Sequence, residues 1–231
     1  MKLLFLFFLG LCTQLTFGQA EVIEQSFPFK GQQLDLDLNF GSDVVIKAWD
    51  KNEISVKITY EINEGKDNSL MNWKIDDNSD RLNVDIEINT KKLEKADNCC
   101  CSKKGNIYWN GDRKGNNVCV DIKVEIFMPS KANMKVKTVV ADVAVEGIIG
   151  DIDLETVTGE INLLWPQDSG AAIEIETTMG AIYTNTDLVT QQKGGLPKIS
   201  SHHIEGDYKN GGYELRLKTV TSDIYFRKTE R

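Results

Sequence analysis

"ETVTGEINL", from Glu155 to Leu163, is the stretch of this 231-residue chain that decides its fold. Three other stretches have nearly the same sequence: "KTVVADVAV" from Lys137, "ETTMGAIYT" from Glu176 and "KTVTSDIYF" from Lys218. A short sequence that returns at intervals near twenty residues is typical of repeat architectures. The chain is therefore expected to contain the same structural unit several times.

The four copies agree position by position. Apolar residues stand two and four positions before each threonine and five positions after it, and a small residue stands three positions after it. The threonines are separated by 18, 21 and 42 residues, and the last step is twice 21. The doubled step predicts a hidden further copy of the repeat, in which Ile199 takes the position of the threonine and Ile204 takes the position of the apolar residue five places later. The threonines are Thr138, Thr156, Thr177 and Thr219, and the small residues are Ala141, Gly159, Gly180 and Ser222.

Each copy is interpreted as a strand, a tight corner and a second strand. A small residue suits a corner in which the chain turns with little room. One such unit cannot bury its apolar face alone, but stacked units can. The repeat therefore predicts an all-β, single-domain β-solenoid, a right-handed β-helix-like prism of stacked rungs. The threonines share the parity of the apolar columns, so their hydroxyls are expected to bond backbone groups at the corners.

The rest of the chain also alternates with period two, which predicts strands buried on one face. The clearest examples are "QQLDLDLNF" from Gln32, "EISVKITYEI" from Glu53, "RLNVDIEIN" from Arg81 and "VCVDIKVEIFMP" from Val118. A helical period is not found after the first twenty residues. An all-β domain is therefore expected over 19–231.

The amino terminus differs from the rest. Residues 1–18 carry one basic residue, Lys2, and then an apolar run from Leu3 to Leu11, which predicts a secretory signal peptide cleaved before Gln19. Cys12 raises the alternative of a lipoprotein anchor, but Leu11 stands where a small residue is needed. No later run approaches the ~18 apolar residues that a spanning helix requires.

The charge of the chain argues against two classes of partner. The formal net charge is −8, and removal of Lys2 with the signal peptide gives 26 − 35 = −9. An acidic protein repels nucleic acid and anionic lipid, so neither is expected as a partner.

The residues before each threonine are expected to form an outward ladder of charges. If the rungs stack in chain order, acidic side chains become neighbours at four positions: Asp153, Glu155, Glu174 and Glu176. Such a cluster of oxygen ligands raises the question of a Ca²⁺ site. Solvated repulsion is the favoured interpretation, and no cofactor is predicted.

The segment from Met134 to Lys228 resembles the bacterial DUF4097 family of "putative adhesins". The similarity lies in "VKTVVADVAVEG", "GDIDLETVTGEINL" and "LRLKTVTSDIYFRK", and "LNFGSDVVIKAWDKNEISVKI" fits the family's amino-terminal part. The resemblance implies a secreted or surface-exposed β-solenoid without demonstrated chemistry. The insertion between Asn89 and Val118 departs from the family pattern.

That insertion, the predicted loop 89–118, contains Cys99, Cys100 and Cys101 and ends next to Cys119. An even number of cysteines in an exported chain predicts disulfides. We expect Cys119 to pair with one of the other three, and a second bond remains open. Tyr108 and Trp109 make the loop a candidate partner-binding surface, because aromatic side chains contribute strongly to recognition.

No catalytic constellation is found. The two histidines, His202 and His203, are adjacent, and neighbouring residues of a strand face opposite ways, so they are not expected to share a metal or a proton. The predicted function is a non-enzymatic secreted or envelope module that binds an extracellular protein or glycan. A carbohydrate-active enzyme and an envelope signalling accessory protein are the alternatives. Unpaired strands at the solenoid ends would allow oligomerisation.

Overall fold

The structure, a computed structural model, describes residues 20–93, 107–110, 117–188 and 202–229. Within them the chain forms fifteen strands, a 3-10 turn at Asn68–Leu70 and a short helix, α1, at Thr90–Leu93. The prediction of an all-β protein is confirmed. The strands are β1 Glu21–Pro28, β2 Gln33–Trp49, β3 Glu53–Ile62, β4 Met71–Asp77, β5 Arg81–Ile88, β6 Ile107–Asn110, β7 Asn117–Pro129, β8 Met134–Glu146, β9 Ile152–Thr158, β10 Ile161–Trp165, β11 Ala171–Thr177, β12 Ile182–Thr184, β13 His203–Tyr208, β14 Tyr213–Thr219 and β15 Ile224–Lys228.

The strands belong to one open sheet that consists of two ladders. The first ladder has the spatial order β4–β5–β2–β8–β9–β14–β11–β13. The second ladder has the order β1–β3–β7–β2–β8–β10–β15–β12, and β6 pairs with β7. The long strands β2 and β8 run through both ladders, and each repeat contributes one strand to each.

The ladders meet at a corner, and both bury side chains in one core. In β8 the buried positions change from even numbers, ending at Thr138, to odd numbers, beginning at Ala141. The register between β2 and β8 shifts at the same level, between Phe40 and Asp43. The alternating apolar residues of both ladders form a single hydrophobic cluster, in which Trp165 and Phe226 are the largest fully buried side chains.

The stacking order corrects the predicted solenoid. β9 pairs with β8 in parallel, as expected for consecutive rungs. β11 does not pair with β9, because β14 lies between them and pairs in parallel with both. The rungs therefore do not follow chain order, and the topology is that of an open sheet.

The hidden rung is also placed differently. Ile204 lies on β13, which is antiparallel to β11, and it faces Ile175 in register. The expectation that Ile204 occupies the later apolar column of a parallel copy is therefore wrong. Ile199 lies outside the described residues, as do the predicted signal peptide 1–18 and most of the loop 89–118.

Candidate functional site

The four threonines of the repeat lie in one file at the corner. Thr138 is in register with Thr156, and Thr219 is in register with Thr177. Lys218 is in register with Glu155, which brings Thr219 next to Thr156. All four side chains are buried. The spatial order is therefore Thr138, Thr156, Thr219, Thr177.

Three of the four hydroxyls contact the corner of the neighbouring unit, and each of these donates to the carbonyl oxygen of the small residue that stands three positions after a threonine. The fourth, Thr138 Oγ1, donates instead to Thr156 Oγ1 at 2.8 Å. An unpaired buried carbonyl costs roughly 1–3 kcal/mol, so these bonds stabilise the corner. The contacts are Thr156 Oγ1 to Ala141 O at 3.5 Å, Thr219 Oγ1 to Gly159 O at 3.3 Å and Thr177 Oγ1 to Ser222 O at 2.9 Å.

The small residues are required by the close approach of neighbouring corners. A Cβ placed on Gly159 would lie 1.8 Å from the carbonyl oxygen of Ala141. A Cβ on Gly180 would lie 1.9 Å from the carbonyl oxygen of Ser222. The threonine file and these glycines therefore have a structural role in the stacking of the units.

The outer face of the first ladder is a set of alternating charges, which we call the paired face. Arg216 lies between two acids, with Nη1 3.3 Å from Glu155 Oε1 and Nε 3.9 Å from Glu174 Oε2. Ion pairs extend across β8, β9, β14 and β11. The others are Lys135 with Asp153 at 2.9 Å, Lys137 with Glu155 at 3.5 Å and Lys218 with Glu176 at 2.8 Å.

The paired face corrects the expected acidic cluster. Asp153 and Glu155 on β9 do not adjoin Glu174 and Glu176 on β11, because the basic side chains of β14 lie between them. The hydrogen bond from Lys218 and its charge lower the pKa of Glu176 below the ordinary carboxyl value. Each of these acids faces a cation of the chain itself, so they do not form a cluster of oxygen ligands.

The outer face of the second ladder has a different character. Tyr183 and Tyr225 stand on neighbouring strands with their rings stacked, 4.9 Å apart at an interplanar angle of 14°. The guanidinium of Arg227 lies 5.9 Å from the Tyr225 ring and donates a hydrogen bond of 2.8 Å to Asn162 Oδ1. Tyr183 is 48% exposed. An aromatic pair flanked by polar side chains is thus presented to solvent.

Four acids stand beside the tyrosines, in the row next to the corner; we call them the acidic column. They project from β2, from β8 and from the residues that immediately precede β10 and β15. Backbone bonds from Val143 N to Glu160 O, 2.8 Å, and from Ile161 N to Asp223 O, 3.2 Å, fix the order. The members are Asp43, Asp142, Glu160 and Asp223.

The electrostatics of the column follow from this arrangement. Partial burial, and then the charges of Asp142 and Asp223, raise the pKa of Glu160 above the ordinary carboxyl value, although Arg227 opposes the shift. Burial and the nearby carboxylates also raise the pKa of Tyr225. The carboxylates and the tyrosines therefore form one negative, aromatic surface, the tyrosine–acid face, which is the candidate site.

The predicted loop site is only partly described. β6 carries Tyr108 and Trp109 and pairs antiparallel with β7, with Tyr108 opposite Cys119. The amide of Cys119 donates to Asn63 Oδ1 at 3.0 Å. Cys99, Cys100 and Cys101 lie outside the described residues, so the disulfide stays a prediction.

The histidines lie at the far edge of the first ladder, where His203 is opposite Glu176. Over the described ranges, no group of three or more His, Cys, Asp or Glu side chains is arranged to hold a metal ion. In the same part of the chain, no helix is both long and apolar enough to span a membrane.

The fold is similar to that of a solved structure. A "putative cell adhesion protein" from Clostridium sporogenes superposes with a TM-score of 0.52 at 12% identity, over 91% of this chain and 100% of that chain. A "putative adhesin" from Bacteroides fragilis matches with a TM-score of 0.23 at 11% identity, over 90% of this chain and 97% of that one. No protein-family model and no curated protein matches the chain. The first likeness establishes an all-β fold shared with a crystallised protein.

The sequence interpretation did not single out the tyrosine–acid face. The signal was present, because Tyr183 and Tyr225 each stand six positions after a threonine of the repeat. Asp142, Glu160 and Asp223 likewise share the fourth position after a threonine. Aligning the copies of the repeat at their outward-facing positions, as well as at their inward-facing ones, would have brought these residues together.

Proposed function

We propose that this chain is a non-enzymatic, adhesin-like binding module of a bacterial cell envelope. The observation that carries the proposal is the tyrosine–acid face, where the exposed ring of Tyr183, stacked on Tyr225, stands among polar and charged side chains on a regular sheet. Aromatic rings with polar neighbours are typical of recognition surfaces. A sheet holds such groups at fixed spacing, which suits an extended partner.

The fold supports this proposal. Its similarity to a protein assigned to cell adhesion agrees with membership of the DUF4097 family, which we infer from the repeat. The stacked corner units would be a solenoid-like element of that family, with the last two units exchanged in space. Because fold alone does not determine function, the surface residues carry the functional part of the argument.

The location follows from the amino terminus. We propose that residues 1–18 are a signal peptide and that 19–231 form one exported domain, periplasmic or at the cell surface. In that oxidising compartment, Cys119 would form a disulfide with one of Cys99, Cys100 and Cys101. The bond would fasten the loop 89–118, with Tyr108 and Trp109, to β7 and provide a second contact surface.

A binding screen tests the proposal. The exported protein would be applied to arrays of glycans and to native envelope proteins, together with Tyr183→Ala and a variant with a shortened 89–118 loop. We expect binding to an extracellular protein or glycan that is weakened by the tyrosine change, by the loop change or by both. Turnover of a polysaccharide, abolished by one outward Asp or Glu substitution, would overturn the proposal.

A further inference from the structure

The tyrosine–acid face has an exposed end. Tyr225 is covered on one side by the Asn162–Arg227 pair and on the other by the Tyr183 ring. Tyr183 stands on β12, which in the described part of the chain pairs with β15 alone. Its side chain is 48% exposed, so a flat aromatic surface is available to a partner.

The acidic residues on the two outer faces of the sheet differ in whether they form ion pairs within the chain. On the paired face, Asp153, Glu155, Glu174 and Glu176 each lie within 4 Å of a lysine or arginine. The acidic column differs from them. Across the described ranges, no ion pair engages its four members, which are Asp43, Asp142, Glu160 and Asp223.

Partial burial raises the pKa of Glu160 most, and the charges of Asp142 and Asp223 add to the shift because like charges stand side by side in the column. Successive strands of a sheet are about 4.8 Å apart, so the acids project side by side and do not converge on one point. A row of this kind matches several separate positive charges better than a single ion. Arg227 offsets part of this negative charge at Glu160, and the rest is available to a partner.

The tyrosines favour the same kind of partner. The negative face of an aromatic ring attracts ammonium and guanidinium groups, by about 0.5–1 kcal/mol at an exposed site. The chain itself contains such contacts: Lys51 Nζ lies 4.5 Å from the centroid of Trp49, and Arg227 lies over Tyr225. Ring and carboxylates thus both attract cationic side chains.

We propose that the tyrosine–acid face docks an extended polypeptide segment of a partner that is rich in lysine or arginine. The segment lies across the strands, with basic side chains on the acidic column and one over the exposed ring of Tyr183. This inference rests on the proposed binding function and specifies its partner.

A labelled decalysine peptide tests the inference, with decaglutamate as the charge control. Binding to the exported protein is followed by fluorescence anisotropy over a range of salt concentrations. The test variant is Asp142→Asn/Glu160→Gln/Asp223→Asn, in which the amide oxygens still accept the hydrogen bonds that Asp142 and Asp223 receive from Glu160 N and Ala181 N. Its matched control, on the paired face, is Asp153→Asn/Glu174→Gln/Glu176→Gln, which removes the same number of charges.

We expect decalysine to bind, decaglutamate not to bind, and the affinity to fall as salt rises. The test variant should lose affinity by about tenfold or more, and the control variant by much less, since its acids already face cations. Tyr183→Ala should weaken binding by a few-fold, whereas Tyr213→Ala, an exposed tyrosine of the first ladder, should not.

Equal losses in the two triple variants would overturn the inference, because net charge alone would then explain binding. Failure of decalysine to bind would also overturn it. In that case, a glycan or another protein captured in the wider screen would leave the proposed binding function intact. Failure of both experiments would reject the inference and the proposed function together.

Discussion

Replacement of Gly159 by alanine is expected to be among the most destabilising single changes in the chain. Two effects act at this position. Its φ is +152°, a backbone conformation that residues other than glycine rarely adopt. An added Cβ would also lie 1.8 Å from Ala141 O and 2.5 Å from Ala141 C. Because these are backbone atoms, no side-chain rotation relieves the clash.

The chain offers two other glycines that separate the effects. Gly31 has a φ of +96° and nothing within 4 Å of an added Cβ, so it reports the conformational effect alone. Gly180 would place its Cβ 1.9 Å from Ser222 O, so its alanine variant tests the clash without a marked positive φ. The three alanine variants form a graded series.

The expected magnitudes follow from this division. A positive φ costs an L-residue roughly 1–2 kcal/mol, partly offset by about 0.4–1 kcal/mol from the stiffer unfolded chain, which leaves about 1 kcal/mol for Gly31→Ala. An ordinary contact of about 3.4 Å at Gly159 requires the two corners to separate by about 1.6 Å. That separation breaks the Thr156 contact with Ala141 O, so we expect roughly 3–5 kcal/mol for Gly159→Ala.

Urea unfolding followed by circular dichroism measures these differences, and thermal unfolding provides a second measurement. In a domain of this size, 1 kcal/mol corresponds to roughly 2–4 °C in Tm, so Gly159→Ala should lower Tm by about 10 °C and Gly31→Ala by about 3 °C. Gly180→Ala should be close to Gly159→Ala. If Gly159→Ala were no worse than Gly31→Ala, the close packing of neighbouring corners would be refuted.

Four further predictions concern other parts of the chain. Arg216→Glu should destabilise the protein by about 1–2 kcal/mol in low-salt urea unfolding and by much less in 1 M NaCl, because it places an acid between two acids. Glu160→Gln should stabilise by a few tenths of a kcal/mol at pH 7. The native state holds the Glu160 proton more tightly than the unfolded chain does, so the stability of the wild type falls as pH rises from 4.5 through the raised pKa of Glu160. The stability gain of Glu160→Gln should therefore vanish below pH 4.5, which urea unfolding at several pH values measures. Thr219→Val should lower the free energy of unfolding by about 1–2 kcal/mol in urea, because the buried carbonyl of Gly159 loses its hydrogen-bond donor. Cys119→Ser should increase the count of free thiols per unreduced chain by one; a decrease would show that Cys119 is not disulfide-bonded.

Much of the local structure could be predicted from residue patterns. Alternation at Leu34, Leu36 and Leu38 gave a strand whose odd and even positions differ in burial, as in β2. The repeated threonine and the small residue after it gave the corner, because both requirements are local. These features follow from period-two geometry and from the space available at a turn, which any three or four neighbouring residues already express.

The order of the strands could not be obtained in the same way. The inward columns of β9, β11 and β14 are almost interchangeable, since each offers Ile or Leu at the same positions. Backbone pairing and apolar burial therefore do not choose between β11 and β14 as the neighbour of β9. The outward charges do distinguish them, because β14 brings Arg216 and Lys218 into register with the acids of β9, whereas β11 would bring Glu174 and Glu176.

The sequence by itself determined that the chain is all-β, which residues point inward, and where the corners lie, because these properties depend on neighbours along the chain. Only the tertiary structure decided that β14 stands between β9 and β11, and that Tyr183, Tyr225 and the acidic column share one outer face. The physical reason is that side-chain parity is set locally, whereas the partner of a strand is chosen by the total free energy of packing and charge across the whole sheet.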